Sequence, residues 1–155
     1  MAASASNTSA ALYISTATPP LTIQNNVLIN NIDVTTGTRA VALWKSSTTI
    51  THLNTDNNNN IYYAGIPGTK NLLYYNGTTG YQDMVSFVNS PSWSPRDISS
   101  YTENVALQPI PLATGILRPV ATTATYVESR AVEVLGITID YDNQTRGPYP
   151  IHFPR

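Results

Sequence analysis

Short runs of apolar and β-branched residues alternate with turn-forming residues along most of the chain. These runs predict strands, because Val, Ile, Thr and aromatic residues favour extended backbone. No segment of 10–12 residues shows the 3.6-residue period of an amphipathic helix. The predicted strands, in chain order, are Ala11–Ser15, Leu21–Gln24, Val27–Val34, Arg39–Trp44, Thr48–Leu53, Lys70–Tyr75, Tyr81–Val88 and Arg130–Tyr141.

Turn signals separate these runs. Asn76-Gly77 predicts a hairpin, because a type I′ turn needs two residues that tolerate positive φ, and the residues up to Gly80 widen its loop. Asp56–Asn60 predicts a loop for the same conformational reason. In the last predicted strand the apolar positions change phase at Leu135-Gly136, which indicates a β-bulge.

The number and spacing of the runs, roughly eight to eleven, predict an all-β fold. We expect an antiparallel sandwich, jelly roll or barrel with extended N- and C-terminal arms. The predicted division is an N-terminal arm over 1–20, a β domain over 21–141 and a C-terminal arm over 142–155. No internal repeat of about 20–50 residues is visible, which disfavours a propeller or a solenoid built from sequence copies.

Composition narrows the class of protein. Charged residues make up 11% of the 155 residues, and the small polar residues 21 Thr, 15 Asn and 13 Ser take their place. The net charge is −1, with no basic stripe to neutralise phosphates and no basic amphipathic helix, so we expect neither nucleic-acid nor membrane partners. So small a net charge leaves little repulsion between copies, a condition that an assembly subunit tolerates.

The N-terminal residues 1–11 carry small side chains with little to bury. We expect a neighbouring subunit to hold this arm, by strand addition or in a groove. The segment lacks the charged start and the apolar stretch of a signal peptide, so we expect no secretion.

Candidate catalytic chemistry is sparse. The chain has no cysteine, and its two histidines, His52 and His152, lie far apart in sequence. We therefore predict no catalytic, cofactor or metal site, and interpret both histidines as structural or surface residues. Asp140 and Asp142 alternate as calcium ligands do, but the residues that follow depart from a calcium loop, so a solvated strand end is favoured and calcium stays open.

Tyrosines and small polar residues cluster in residues 62–83. Adjacent tyrosines on a strand point to opposite faces, so one of each pair should be in the core and the other exposed. The cluster suits core packing, a protein interface or a sugar site. The candidate contact residues are Tyr63, Tyr75, Asn76, Tyr81 and Asp83.

Two segments resemble bacteriophage virion proteins. Residues 71–79, NLLYYNGTT, resemble a hairpin of tail-fibre proteins, and residues 134–140, VLGITID, resemble a strand of small capsid-decoration proteins. The resemblance implies a cysteine-free β subunit on a virion surface.

The sequence thus favours a virion structural protein, a capsid, decoration or fibre component located in the virion. Its partners would be copies of itself or a major virion protein, reached through β contacts between subunits and through clamped terminal arms. The alternative is a cytosolic, non-secreted carbohydrate-binding module, or lectin, that uses the Tyr/Asn/Asp cluster at 62–83. Neither interpretation is an enzyme.

Overall fold

The computed structural model describes residues 7–15, 20–34, 38–108, 118–128, 130–139 and 143–145. Strands dominate it, which confirms the all-β prediction. The elements in chain order are β1 (Asn7–Ile14), β2 (Val27–Ile29), β3 (Thr38–Lys45), β4 (Ile61–Tyr63), β5 (Asn71–Tyr75), β6 (Gly80–Tyr81), helix α1 (Met84–Val88), β7 (Tyr101–Thr102) and a 3-10 turn at Tyr126–Glu128.

The strands form two sheets, with the orders β1-β3-β5-β6 and β2-β4-β7. Within the described residues, β5 and β6 pair antiparallel and the other strand pairs are parallel. The expected antiparallel sandwich, jelly roll or barrel is therefore not the arrangement observed. Only one tight hairpin turn is encoded, and the longer connections carry the chain around to lie parallel to an earlier strand.

Parallel neighbours in each sheet are one winding of the chain apart. Leu12 on β1 pairs with Leu43 on β3, which pairs with Tyr74 on β5. Between the sheets, isolated parallel bridges join Leu21 to Leu53 and Gln24 to Asn58. The described residues form a short parallel β-solenoid of about three coils, with 31–34 residues between paired positions of the first and second coils and 40 between Ile61 and Tyr101. Its coils share residue types at stacked positions rather than copied sequence, so no repeat was visible.

Asparagines form one corner of the solenoid. The buried Asn57 side chain accepts a hydrogen bond from the Ile23 backbone N–H of the preceding coil at 2.7 Å. Asn60 does the same for Asn26 at 3.0 Å and donates to the Ile23 carbonyl at 2.9 Å. The predicted Asp56–Asn60 loop is thus a corner in which side-chain amides link one coil to the next, and Asn59 has the positive φ of 57° that such residues tolerate.

An aromatic cluster closes the third coil. The Tyr74 ring lies 4.7 Å from Phe87 and 4.9 Å from Trp93, between ring centroids. Phe87 is on α1, where the sequence predicted the strand Tyr81–Val88. That prediction was wrong beyond β6 because Asp83 caps a helix, its carboxylate accepting from the Ser86 backbone N–H at 2.8 Å.

The segment from Arg118 to Ile139 returns along the β2-β4-β7 sheet. Asn25 exchanges two hydrogen bonds with the Val132 backbone, at 2.7 and 2.9 Å, and Asn59 donates to the Arg130 carbonyl at 2.9 Å. The predicted strand Arg130–Tyr141 is absent over 130–139, where the structure has a turn at Leu135-Gly136 with a Gly136 φ of 87°. The phase change in the sequence marked this turn rather than a bulge.

Parts of the predicted arms fall inside and parts outside the described residues. Asn7–Ile14 pairs with β3 of the same subunit, so residues 7–11 need no neighbour to hold them. Residues 1–6, 16–19 and 146–155 lie outside the described residues, as do Asp140, Asp142 and His152. Three other predicted strands are shorter than expected: Val27–Val34 is reduced to β2, Leu21–Gln24 to isolated bridges at its two ends, and Thr48–Leu53 to the bridge at Leu53.

Candidate ligand-binding face

Three aromatic side chains stand in register across the β1-β3-β5 sheet. Tyr13 pairs with Trp44, and Trp44 with Tyr75, so each occupies the same position of its coil. The ring centroids are 4.7 Å apart for Tyr13 and Trp44 and 6.1 Å apart for Trp44 and Tyr75. These spacings follow from the distance between hydrogen-bonded strands, roughly 4.8 Å. We call these three residues the aromatic row.

The aromatic row lies at the surface. Tyr13 is 52% exposed, and Trp44 and Tyr75 are half-buried. The Trp44 indole N–H points inward, where no described group accepts it. The row therefore offers ring carbons rather than the indole N–H to whatever lies against it.

A cleft of about 200 Å³ opens beside the end of the row, between β5 and the hairpin loop. This volume is below the roughly 300–1,000 Å³ of sites for drug-sized ligands, so the cleft suits a small polar ring. Its side-chain walls are Arg39, Thr69, Leu72, Tyr75, Thr78 and Gln82.

Gly80 closes one side of the cleft. A Cβ at this position would lie 2.6 Å from Leu72 Cδ1, so a larger residue would displace the Leu72 wall. Gly80 pairs with Tyr75 across the antiparallel hairpin, which holds the two sides of the cleft together. The hairpin predicted at Asn76-Gly77 is confirmed and supplies this side of the site, but its type I′ turn is not, because Gly77 has a positive φ of 88° and Asn76 does not.

Among the described residues, Arg39 is the one charged residue that lines the cleft. Its guanidinium carbon lies 5.1 Å from the centroid of the Tyr75 ring, a cation–π distance. Within the part of the chain that the structure describes, no carboxylate pairs with Arg39. The cleft thus combines an aromatic face, hydroxyl and amide groups, and one positive charge.

The five candidate contact residues do not form one site. Tyr75 lines the cleft, whereas Tyr63 lies on β4 in the other sheet. Tyr81 is half-buried and stacks on Tyr74 at 5.6 Å. The prediction that one tyrosine of each adjacent pair is in the core is confirmed, because Tyr62 and Tyr74 are fully buried and their neighbours are not.

The two polar candidates have structural roles in the described residues. Asn76 is buried, and its side-chain oxygen accepts from the Thr78 and Thr79 backbone N–H groups at 3.0 and 2.7 Å. Asp83 caps α1, and the hydrogen bonds from Ser86 hold the pKa of its carboxyl below the usual range. Both residues therefore shape the hairpin and its exit rather than the cleft.

Sequence reasoning missed Tyr13, Trp44 and Arg39. A signal for the row was present, because Tyr13, Trp44 and Tyr75 are each 31 positions apart. Three aromatic residues at one interval do not by themselves predict a site. The interval indicates a row of side chains only once the strands are known to stack in parallel.

A buried carboxylate forms a second polar centre. Asp97 accepts from Asn60 at 2.8 Å and Ser100 at 2.5 Å through one oxygen, and from Tyr62 at 3.0 Å and Trp93 at 2.7 Å through the other. Burial and the neighbouring Asp97 charge raise the pKa of Tyr62 well above its usual value. Because Asp97 is fully buried and fully paired, this centre fixes the third coil rather than binding a ligand.

Three buried basic side chains, Lys45, His52 and Arg96, lie near one another. Lys45 and His52 are buried, and Arg96 donates to the backbone carbonyls of Leu53, Asn54 and Trp93. Burial, followed by the charges of Lys45 and Arg96, lowers the pKa of His52. The prediction that His52 is a structural or surface residue stays a prediction, and its burial favours the structural role.

No cluster of three or more His, Asp or Glu side chains suited to a metal ion occurs among the described residues. No helix in those same segments is long and apolar enough to cross a membrane. Comparison of the chain with protein-family models, with curated proteins and with solved structures found no match.

Proposed function

We propose that this chain is a non-catalytic β-solenoid that binds a polysaccharide on the outer face of its β1-β3-β5 sheet. The observation that carries the proposal is the aromatic row, which ends at a cleft lined by Arg39, Thr69 and Gln82. A stacked solenoid presents the same position once per coil, and so offers an extended surface to a polymer.

The chemistry of the face suits a sugar chain. A sugar ring has apolar C–H groups on its flat faces, which pack against aromatic carbons, and hydroxyl groups at its edge, which need hydrogen-bond partners. The aromatic row supplies the first kind of contact. The Thr, Gln and Arg side chains of the cleft supply the second. A polymer lying across the strands would contact successive coils in turn.

Removing the most exposed ring of the row tests the proposal. We expect Tyr13→Ala to weaken binding to a polysaccharide found on a glycan array by about tenfold, because one stacking contact is lost. Tyr126→Ala is the matched control, since Tyr126 is 50% exposed and lies on the other sheet's side of the solenoid. Equal loss in both variants, or silence of the wild-type chain on the whole array, would reject the proposal.

A second candidate function is a virion structural component that assembles with copies of itself. The apolar side chains of the turn segment support it, because Leu135 is 97% exposed and Ile137 and Ile139 are about half exposed. A net charge of −1 leaves little repulsion between copies. The two candidates are compatible, since a fibre component can bind sugars.

Light scattering of the purified chain tests this second candidate. We expect wild-type protein to form oligomers, and the double variant Leu135→Ser, Ile137→Ser to shift toward monomer because its apolar contact is removed. The matched control is Val85→Ser, Ile98→Ser, which changes two exposed apolar residues elsewhere on the molecule. A wild-type chain that is monomeric at every accessible concentration counts against self-assembly.

A further inference from the structure

We infer that the polymer bound by this face is acidic, and that Arg39 binds a carboxylate of one of its sugar units. This inference rests on the proposed function and names the chemical class of its ligand. It depends on the position and surroundings of a single side chain.

The guanidinium of Arg39 is held in place by the Tyr75 ring but has no hydrogen-bond acceptor among the described residues. Its stacking on Tyr75, at 5.1 Å from the ring centroid, fixes one face of the group against the wall of the cleft. No side chain or backbone oxygen of the described residues accepts a hydrogen bond from Arg39. Its N–H donors therefore remain for a ligand, and a preorganised guanidinium loses little side-chain entropy on binding.

The surroundings of Arg130 differ from those of Arg39. Arg130 lies between two rings, 4.9 Å from the centroid of Tyr101 and 4.8 Å from that of Tyr126. Glu103 belongs to this group, since it accepts a hydrogen bond from the Tyr126 backbone N–H at 3.0 Å. Arg130 is exposed but has a ring of its own chain on each side, whereas Arg39 has a ring on one side and the cleft on the other.

The geometry favours a carboxylate over other anions. A guanidinium donates two parallel hydrogen bonds to a planar carboxylate, and such charge-assisted pairs are stronger than neutral hydrogen bonds. The described walls of the cleft carry one positive charge and no acidic residue. That balance suits one negative charge per sugar unit, whereas densely sulfated chains are bound by clusters of basic residues, which these walls lack.

The test compares acidic polymers with their own neutral forms. Polygalacturonate, alginate and hyaluronate are offered to the full chain by affinity electrophoresis, each beside a carboxyl-reduced sample of the same polymer. We expect at least one acid polymer to bind about tenfold more tightly than its reduced form, in line with one charge-assisted pair. Rising salt should narrow the difference, because it screens exposed charges.

Substitutions of Arg39 test whether this residue causes the preference for the acid form of the polymer. Arg39→Gln should remove the preference for the acid form, and Arg39→Lys should restore only part of it, because an ammonium lacks the planar pair of donors. Arg130→Gln is the matched control and should keep the preference. Thermal unfolding of each variant shows whether the fold is intact, and the wild-type comparison holds even if a variant does not fold.

The outcomes separate the inference from the proposed function. Equal binding of acid and reduced polymers that still depends on Tyr13 leaves the proposed function standing and overturns the acidic ligand. Failure to bind any of the three acid polymers, or tighter binding to a sulfated glucan, also overturns it. A preference that survives in Arg39→Gln overturns the assignment to Arg39.

Discussion

At the scale of single residues, several buried polar side chains are tolerated here because they form hydrogen bonds, some of them to a neighbouring coil. Asp97 is the clearest case, with two neutral donors on each carboxylate oxygen. Its φ of 57° also places it in the left-handed region, which Asn tolerates equally well. Asp97→Asn therefore keeps the backbone and changes only the hydrogen bonding.

We expect Asp97→Asn to lower the free energy of unfolding by about 2–4 kcal/mol, because an NH₂ group would face two donors and leave them unpaired. Urea denaturation of both proteins measures the change. Asp56→Asn is the control, since Asp56 is exposed, and its effect should stay within about 0.5 kcal/mol. Equal effects in the two variants would mean that the Asp97 hydrogen bonds do not hold the third coil.

The lowered pKa of His52 predicts how the free energy of unfolding changes with pH. Its pKa is lowered in the folded chain by burial and by Lys45 and Arg96, so the unfolded chain binds its proton more readily. Stability should therefore fall as the pH drops below about 6.5, the ordinary value for histidine, and should level off below the folded-state pKa. His52→Gln should show a smaller loss between pH 7 and pH 5, as measured by urea denaturation at each pH. The same loss in both proteins would place the pH sensitivity elsewhere.

At the scale of elements, the returning segment begins with a backbone bridge between Leu107 and Pro119, but around residues 130–132 it is held by side chains. Asn25 and Asn59 occupy stacked positions of two coils, have φ values of 58° and 57°, and contact the backbone at Val132 and Arg130. Both side chains bond to main-chain atoms, so these contacts do not depend on which side chains the segment carries at these positions. The exposed residues 130–139 thus depend on a few polar contacts.

Asn25→Gly removes two of these contacts and keeps the positive φ. We expect tryptic cleavage after Arg130 to become about 30-fold faster, because the segment opens more often when two hydrogen bonds of about 1 kcal/mol each are lost. Asn143→Gly is the control, since Asn143 also has a positive φ, of 60°, and is exposed. Unchanged cleavage in Asn25→Gly would mean that other contacts hold the segment.

Short-range sequence signals predicted turns and the burial of single residues, but not the pairing of distant strands. The Asn76-Gly77 hairpin, the corner at Asp56–Asn60 and the buried member of each tyrosine pair were all accessible from sequence. The helix at Met84–Val88 was missed because one capping carboxylate, Asp83, outweighed a strand-like run. Parallel stacking was missed because the partner of each strand lies a full coil away, and no short-range pattern encodes that distance. For the same reason, only Tyr75 of the candidate site was found.

At the scale of the whole molecule, the solenoid should unfold as one unit whose central coil matters most. Leu43 in the second coil is fully buried and pairs with Leu12 below and Tyr74 above. Leu12 in the first coil has a described partner on one side only and is half-buried. A cavity at Leu43 therefore loses contacts to both neighbouring coils, whereas one at Leu12 opens toward the end of the stack.

We expect Leu43→Ala to lower the free energy of unfolding by about 3–4 kcal/mol and Leu12→Ala by clearly less, because the cost of a cavity grows with the packing lost around it. Trp44 in the second coil and Trp93 beside the third report on unfolding when each is retained alone in a Trp→Phe background. In a chain of about three coils, each needing its neighbours to bury its apolar face, the two reporters should give the same midpoint. Separate midpoints, or equal losses in the two leucine variants, would show that the coils are stabilised independently and that the aromatic row spans units free to separate.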